Sequence, residues 1–105
     1  MEQIQVGDIL AGTWGATMVI PEFFEVVRKT AKTLYVRRMK KGMLEPNACG
    51  QQGYEVPLDP HEYRGDDEFR GRATEYGGIC VTMEWHQKVY VKKWNGQPVW
   101  ADYMD

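Results

Sequence analysis

The sequence predicts an all-β domain, either a small SH3-like barrel or a strongly bent antiparallel sheet with long loops. Three observations carry that expectation. Helical periodicity is missing, because no stretch keeps apolar residues at i, i+3, i+4 and i+7 for three turns without a Gly, a Pro or a β-branched run. Short segments of alternating or β-branched character recur instead, six or seven of them in 105 residues. Turn signals separate these segments, Asn95-Gly96 being the clearest.

Taken in order, Val6-Gly7-Asp8-Ile9-Leu10 reads as a first strand interrupted by glycine, and Gly12-Thr13-Trp14-Gly15-Ala16 as a loop carrying an aromatic. Pro21-Glu22 suits a helix start, but the following Phe23-Phe24-Glu25-Val26-Val27 is aromatic and β-branched and favours a strand. Residues 23–29 and 33–39 then pair across Thr30-Ala31-Lys32, with Leu34 and Val36 alternating with Thr33, Tyr35 and Arg37. Residues 40–53 shift to Gly, Pro, Asn and Gln and read as a loop. Tyr54-Glu55-Val56-Pro57 is a brief strand, and residues 59–67, with Pro60 and Gly65, form a second loop. Residues 69–75 and 79–85 flank Tyr76-Gly77-Gly78, where glycine tolerates the positive φ of a tight turn. The last hairpin joins residues 88–94 to residues 97–103 across Asn95-Gly96, as a type I′ turn needs positive φ at both central positions. Pro98 cannot donate to a ladder, so the closing arm is expected at a sheet edge or at a bulge.

The chain length fits a single domain spanning residues 1–105. The longest apolar runs stop early, Met18-Val19-Ile20 at Pro21 and Phe23-Phe24 at Glu25, far short of the roughly 20 residues of a membrane helix. Met1-Glu2-Gln3-Ile4-Gln5 has neither the basic region nor the apolar core of a signal peptide, so the host-cell cytoplasm is the expected location. Two cysteines in such a chain are expected to stay reduced, Cys80 as a small buried hydrophobe and Cys49 as a loop thiol. Net charge is −2, but residues 1–41 hold seven of the 13 Lys/Arg and four of the 15 Asp/Glu. The excess lies in Arg28, Lys29, Lys32, Arg37, Arg38, Lys40 and Lys41, either an anion-facing patch or the solvated face of a hairpin.

No recognisable catalytic centre emerges, and no enzyme activity, cofactor or metal is expected. His61 and His86 alone titrate near neutrality in the unperturbed state. The acidic run Asp59, His61, Glu62, Asp66, Asp67 and Glu68 does not follow a calcium loop. Cys49, His61, Cys80 and His86 lack the short paired spacings of structural zinc sites. A small enzyme or metal-binding protein using Cys49 and His61 is the last of three functional readings. The aromatics weigh more: Trp14, Tyr35, Tyr54, Trp85, Tyr90, Trp94, Trp100 and Tyr103 exceed what a small core needs, and the surplus is expected to form a binding face.

The opening Val6-Gly7-Asp8-Ile9 with Thr13-Trp14-Gly15, the strand Phe23-Phe24-Glu25-Val26-Val27, the strand Thr33-Leu34-Tyr35-Val36-Arg37 and the close Trp94-Asn95-Gly96-Gln97-Pro98-Val99-Trp100 resemble a family. It is the group of small proteins, about a hundred residues long, encoded by bacteriophages and integrated mobile elements, with a GDI…WG opening and a W-[DN]-G-x-P ending. The resemblance covers both ends of the chain and little of residues 42–87; Leu10 and Ala16 stand where that family has aromatics. The family carries no assigned reaction, so the resemblance implies context rather than catalysis. It implies a phage or mobile-element accessory protein that binds a protein partner, a host or defence component, as a counter-defence inhibitor does. The residues expected at the interface are Trp14, Arg28, Lys29, Tyr35, Arg37, Arg38, Lys40, Lys41, Trp94 and Trp100. The alternative is a nucleic-acid-binding module using the basic 28–41 hairpin, and the exposed edge strand offers pairing with a second copy.

Overall fold

Strand after strand, apolar residues recur at every second position, and that alternation builds a closed wall with one dry side. The computed structural model describes residues 3–44, 46, 50–75 and 78–104. Among them lie nine strands: β1 (Ile9–Trp14), β2 (Ile20–Lys29), β3 (Leu34–Met39), β4 (Lys41–Leu44), β5 (Gln52–Pro57), β6 (Tyr63–Ala73), β7 (Ile79–Thr82), β8 (Lys88–Lys93) and β9 (Val99–Asp102). Six of them close a small antiparallel barrel in the order β1-β2-β3-β6-β7-β8. Closure comes from β8 returning to β1, with Leu10 opposite Lys93 and Thr13 opposite Tyr90. That approach is tight at Gly12, where a Cβ would stand 2.2 Å from the Tyr90 carbonyl oxygen.

Leu10, Phe24, Val26, Leu34, Val36, Ile79, Val81, Val89 and Val91 fill the barrel, with Ile4 and Met83 joining the same cluster and Trp14 and Phe69 packed against it. The other three strands form a second sheet, β4-β5-β9, with β4 and β9 at its edges. It lies against β2, which β5 and β9 both contact, and Val19 bridges Asp102. Consequently β2 is covered on both sides from Pro21 to Phe24. This explains why its sequence runs apolar without strict alternation. No helix among the described residues is long and apolar enough to cross a membrane.

The predicted 23–39 hairpin forms as β2 and β3, with a bulge between Val26 and Arg28. The predicted 69–85 hairpin also pairs, as β6 with β7; Tyr76-Gly77 of its turn lies outside the described residues. Five expectations need correction, four of them local. Trp14 ends strand β1 rather than sitting in a loop, because β1 needs its full length to bond both β2 and β8. The 40–53 segment holds β4 and the start of β5, and the 59–67 segment holds the start of β6. Cys80 is half-buried and faces outward, since Ile79 and Val81 take the inward positions of β7.

The largest correction concerns the final hairpin, which does not exist. β8 already has β7 on one side and β1 on the other, so no edge is free for the next strand. The chain leaves the barrel after Trp94, and β9 pairs instead with β5. Asn95-Gly96 serves that departure: the Asn95 side-chain oxygen accepts from the Gln97 N–H at 2.9 Å, and Gly96 takes φ 84°. The expectation for Pro98 holds in part, since β9, which follows it, is an edge strand.

Candidate functional site

The basic hairpin is built as predicted, and its charge is then consumed within the fold. Arg28 is paired with Glu68 at 3.1 Å and lies 3.8 Å over the Tyr35 ring. Lys29 donates to the Ile4 carbonyl at 2.8 Å. Arg37 donates to the Gly65 carbonyl at 2.8 Å, stands 3.8 Å from Asp66 and lies 3.9 Å over the Tyr63 ring. Among the seven cations of this cluster Lys29, Lys32 and Lys40 remain exposed without an ion pair among the described residues, Lys29 being held only by the Ile4 carbonyl.

Arg38 and Lys41 go further and are drawn inward. On β2, Glu22 falls in the same inward phase as Phe24 and Val26, and it is fully buried. Its carboxylate accepts from Arg38 through both oxygens and from the Trp14 indole N–H at 2.9 Å. Arg38 also donates to Glu84 at 2.7 Å. Burial opposes the charged guanidinium, but the hydrogen bonds and charges of Glu22 and Glu84 outweigh it and raise the Arg38 pKa above its ordinary value. A second group ties the two sheets together. Lys41 donates to the Pro21 carbonyl and to the Tyr103 hydroxyl at 2.8 Å, and pairs with the buried Glu55 at 3.1 Å. Tyr103 donates in turn to Glu55, and burial with that bond pushes its phenol well up. Such closed networks hold geometry in place and leave little to offer a ligand.

Trp14, Trp94 and Trp100 separate in the same way. Trp14 is bound to Glu22, and Trp94 packs edge-on to Phe23 at 5.7 Å with its N–H on the Gln97 carbonyl at 2.7 Å. Trp100 is exposed, but on β9 and away from the basic hairpin. It aligns with Tyr54 and Leu44 across β9, β5 and β4, forming one exposed apolar row on the outer side of the second sheet. Tyr54 and Trp100 meet edge to face at 5.3 Å.

The feature that sequence reasoning missed lies between β7 and β8. Residues Glu84–His86 make a single tight turn, closed by Met83 N–H on the Gln87 carbonyl at 2.7 Å and Gln87 N–H on the Glu84 carbonyl at 3.3 Å. Trp85 (φ 62°) and His86 (φ 60°) are both left-handed, where a side chain costs roughly 1–2 kcal/mol per residue. This is the backbone of the type I′ turn expected at Asn95-Gly96, occupied instead by two bulky residues. Trp85 is 94% exposed. The turn is braced from below by Glu84, through Arg38, on the buried Glu22. The sequence offered Trp85 as one of the surplus aromatics, but placed Glu84-Trp85 at the end of the predicted 79–85 strand rather than in a turn.

His61 is exposed in the connection leading to β6, and Cys49 lies outside the described residues. Among the described residues no group of three or more His, Cys, Asp or Glu is placed to hold a metal ion. Comparison with protein-family models, with curated proteins and with solved structures finds no match.

Proposed function

We propose that this chain is a non-enzymatic binding protein that engages a protein partner with the Trp85–His86 tip as its anchor. One observation carries this reading: an almost fully exposed tryptophan held in a left-handed turn that its own residue type disfavours. Strain of that kind persists where the surroundings enforce it, and it gathers at binding sites. Here the enforcing element is the Glu84–Arg38–Glu22 brace. Tryptophan is also the residue most favoured at interface hot spots, because it buries a large area with few rotamers to freeze. The Leu44–Tyr54–Trp100 row supplies a second exposed apolar surface of the same character. The resemblance of the sequence to phage and mobile-element proteins supports a host or defence component as the class of partner.

The test is affinity capture from a host lysate with the wild-type chain and with Trp85→Ser, both confirmed folded by their melting curves. A protein retained by the first and lost by the second supports the reading. Equal capture of the same proteins by both removes Trp85 from the interface and overturns it.

A further inference from the structure

The outer face of β6, β7 and β8 carries four cations that the fold does not consume. Gly71, Ile79, Val81, Val89 and Val91 take the inward positions. Arg70 and Arg72 on β6, Cys80 and Thr82 on β7, and Lys88, Tyr90 and Lys92 on β8 therefore face out. The register aligns them in rows, Arg70–Thr82–Lys88 and Arg72–Cys80–Tyr90. Arg70, Arg72, Lys88 and Lys92 are exposed, and none forms an ion pair among the described residues. By contrast the neighbouring Glu68 is already held by Arg28, and no carboxylate stands among the seven outward residues.

Side-chain length gives this face its shape. The short Cys80 and Thr82 make a floor, and the long residues of β6 and β8 stand on either side of it. Arg70, Arg72, Cys80, Thr82 and Lys88 line a shallow depression as a result. The strands that bound it, β6 and β8, are two strand spacings apart, about 9.5 Å, and along β8 the outward Lys92 lies about 13 Å beyond Lys88, past the end of the depression. Tyr90 rises between those two lysines and is 66% exposed.

We propose that this groove binds a single-stranded nucleic acid, with the four cations on successive phosphates and the Tyr90 ring stacked on a base. A positive groove beside an aromatic platform is what strand binding without sequence preference requires. An acidic peptide meets the cations equally well but places a ring on Tyr90 only where an aromatic residue falls in register with its carboxylates, whereas every nucleotide carries a base beside its phosphate, which favours the nucleic acid. The charge is local: the chain as a whole carries −2, so general attraction to polyanions does not account for it. The groove also replaces the 28–41 hairpin as the nucleic-acid face, since that hairpin's cations are mostly paired. It does not rest on the Trp85 reading, whose test uses a protein partner.

Fluorescence anisotropy with a labelled 20-nucleotide oligo-dT tests it, run from low to moderate salt beside a poly-glutamate peptide of equal charge. Four phosphate contacts give a slope of log K against log salt of about −3, and Lys88→Gln reduces that slope by about 0.7. Tyr90→Ala weakens binding by roughly 5- to 150-fold and leaves the slope unchanged. All the substituted side chains are exposed, and a wild-type melting curve confirms each variant's fold. No binding at low salt overturns the proposal, as does poly-glutamate binding as tight as oligo-dT, which assigns the groove to an acidic protein. Loss of binding in Lys32→Gln but not in Lys88→Gln returns the site to the hairpin and also overturns it. Trp85→Ser is expected to bind oligo-dT like wild type, so failure of either reading leaves the other standing.

Discussion

Replacing Trp85-His86 by Asn-Gly is expected to make the isolated protein more stable while removing its proposed anchor. Both residues sit at positive φ, each at a cost of about 1–2 kcal/mol for an ordinary side chain. Asn and Gly are the pair that a type I′ turn favours, so most of that cost is relieved. Glycine gives back about 0.5–1 kcal/mol through the entropy of the unfolded chain. Almost no burial is lost, because Trp85 is 94% exposed and His86 is exposed too. The brace from Glu84 to Arg38 is untouched. The balance is a gain of about 1–3 kcal/mol, equivalent to a rise in melting temperature of roughly 5–20 °C for a domain of this size. Urea unfolding at a single pH measures it, with an unchanged m-value showing that the midpoint shift is a stability change. An unchanged or lowered midpoint would refute the argument that this turn stores strain. The single variants Trp85→Asn and His86→Gly divide the gain between the two positions.

Three further outcomes follow from the same geometry. Glu22→Leu leaves Arg38 and the Trp14 N–H short of partners in a nearly dry site and is expected to cost about 3–5 kcal/mol. Adding Arg38→Met recovers most of that loss in urea unfolding, and a double variant no better than the single one refutes the pairing. Gly12→Ala places a methyl against the Tyr90 carbonyl at the barrel seam, and a loss of about 1–3 kcal/mol or more is expected; amide exchange reads it out as early opening between β1 and β8. The Tyr103 phenol has a raised pKa in the fold, from burial and then the bond to Glu55. Its contribution is therefore complete below its unfolded value of about 10 and is lost as pH rises from there towards the folded value. Wild type should lose stability more steeply than Tyr103→Phe above that pH, and parallel curves from pH 9 to 11.5 count against it.

Much of the barrel wall was legible because its signals are local. In β3, Leu34 and Val36 alternate with Tyr35 and Arg37, and Thr30-Ala31-Lys32 is short enough that two neighbouring strands have no other way to pair. The alternation of Lys88-Val89-Tyr90-Val91-Lys92 likewise stated which residues face in. It said nothing about which strands would flank them. Any strand can bond any other, so the turn signal at Asn95-Gly96 promised a partner that barrel closure had already supplied from β1.

The candidate sites divide along the same line. Residue types announced surplus aromatics and unevenly distributed cations, and both features are real. Pairing across the fold then determined which of them stayed free. Glu22, Glu55, Asp66 and Glu68 are distant in sequence from the cations they meet, and those meetings withdraw most of the 28–41 cluster. Arg70, Arg72, Lys88 and Lys92 look unremarkable along the chain and become a groove only when β6 and β8 stand on either side of β7. Trp85 is the extreme case, since its backbone conformation contradicts the preference of its own side chain. The sequence by itself determined the β class, the inward residues of most strands and the surplus of aromatic and basic side chains. Tertiary structure decided which charges are cancelled and which aromatic is presented, because both depend on contacts between residues far apart in the chain.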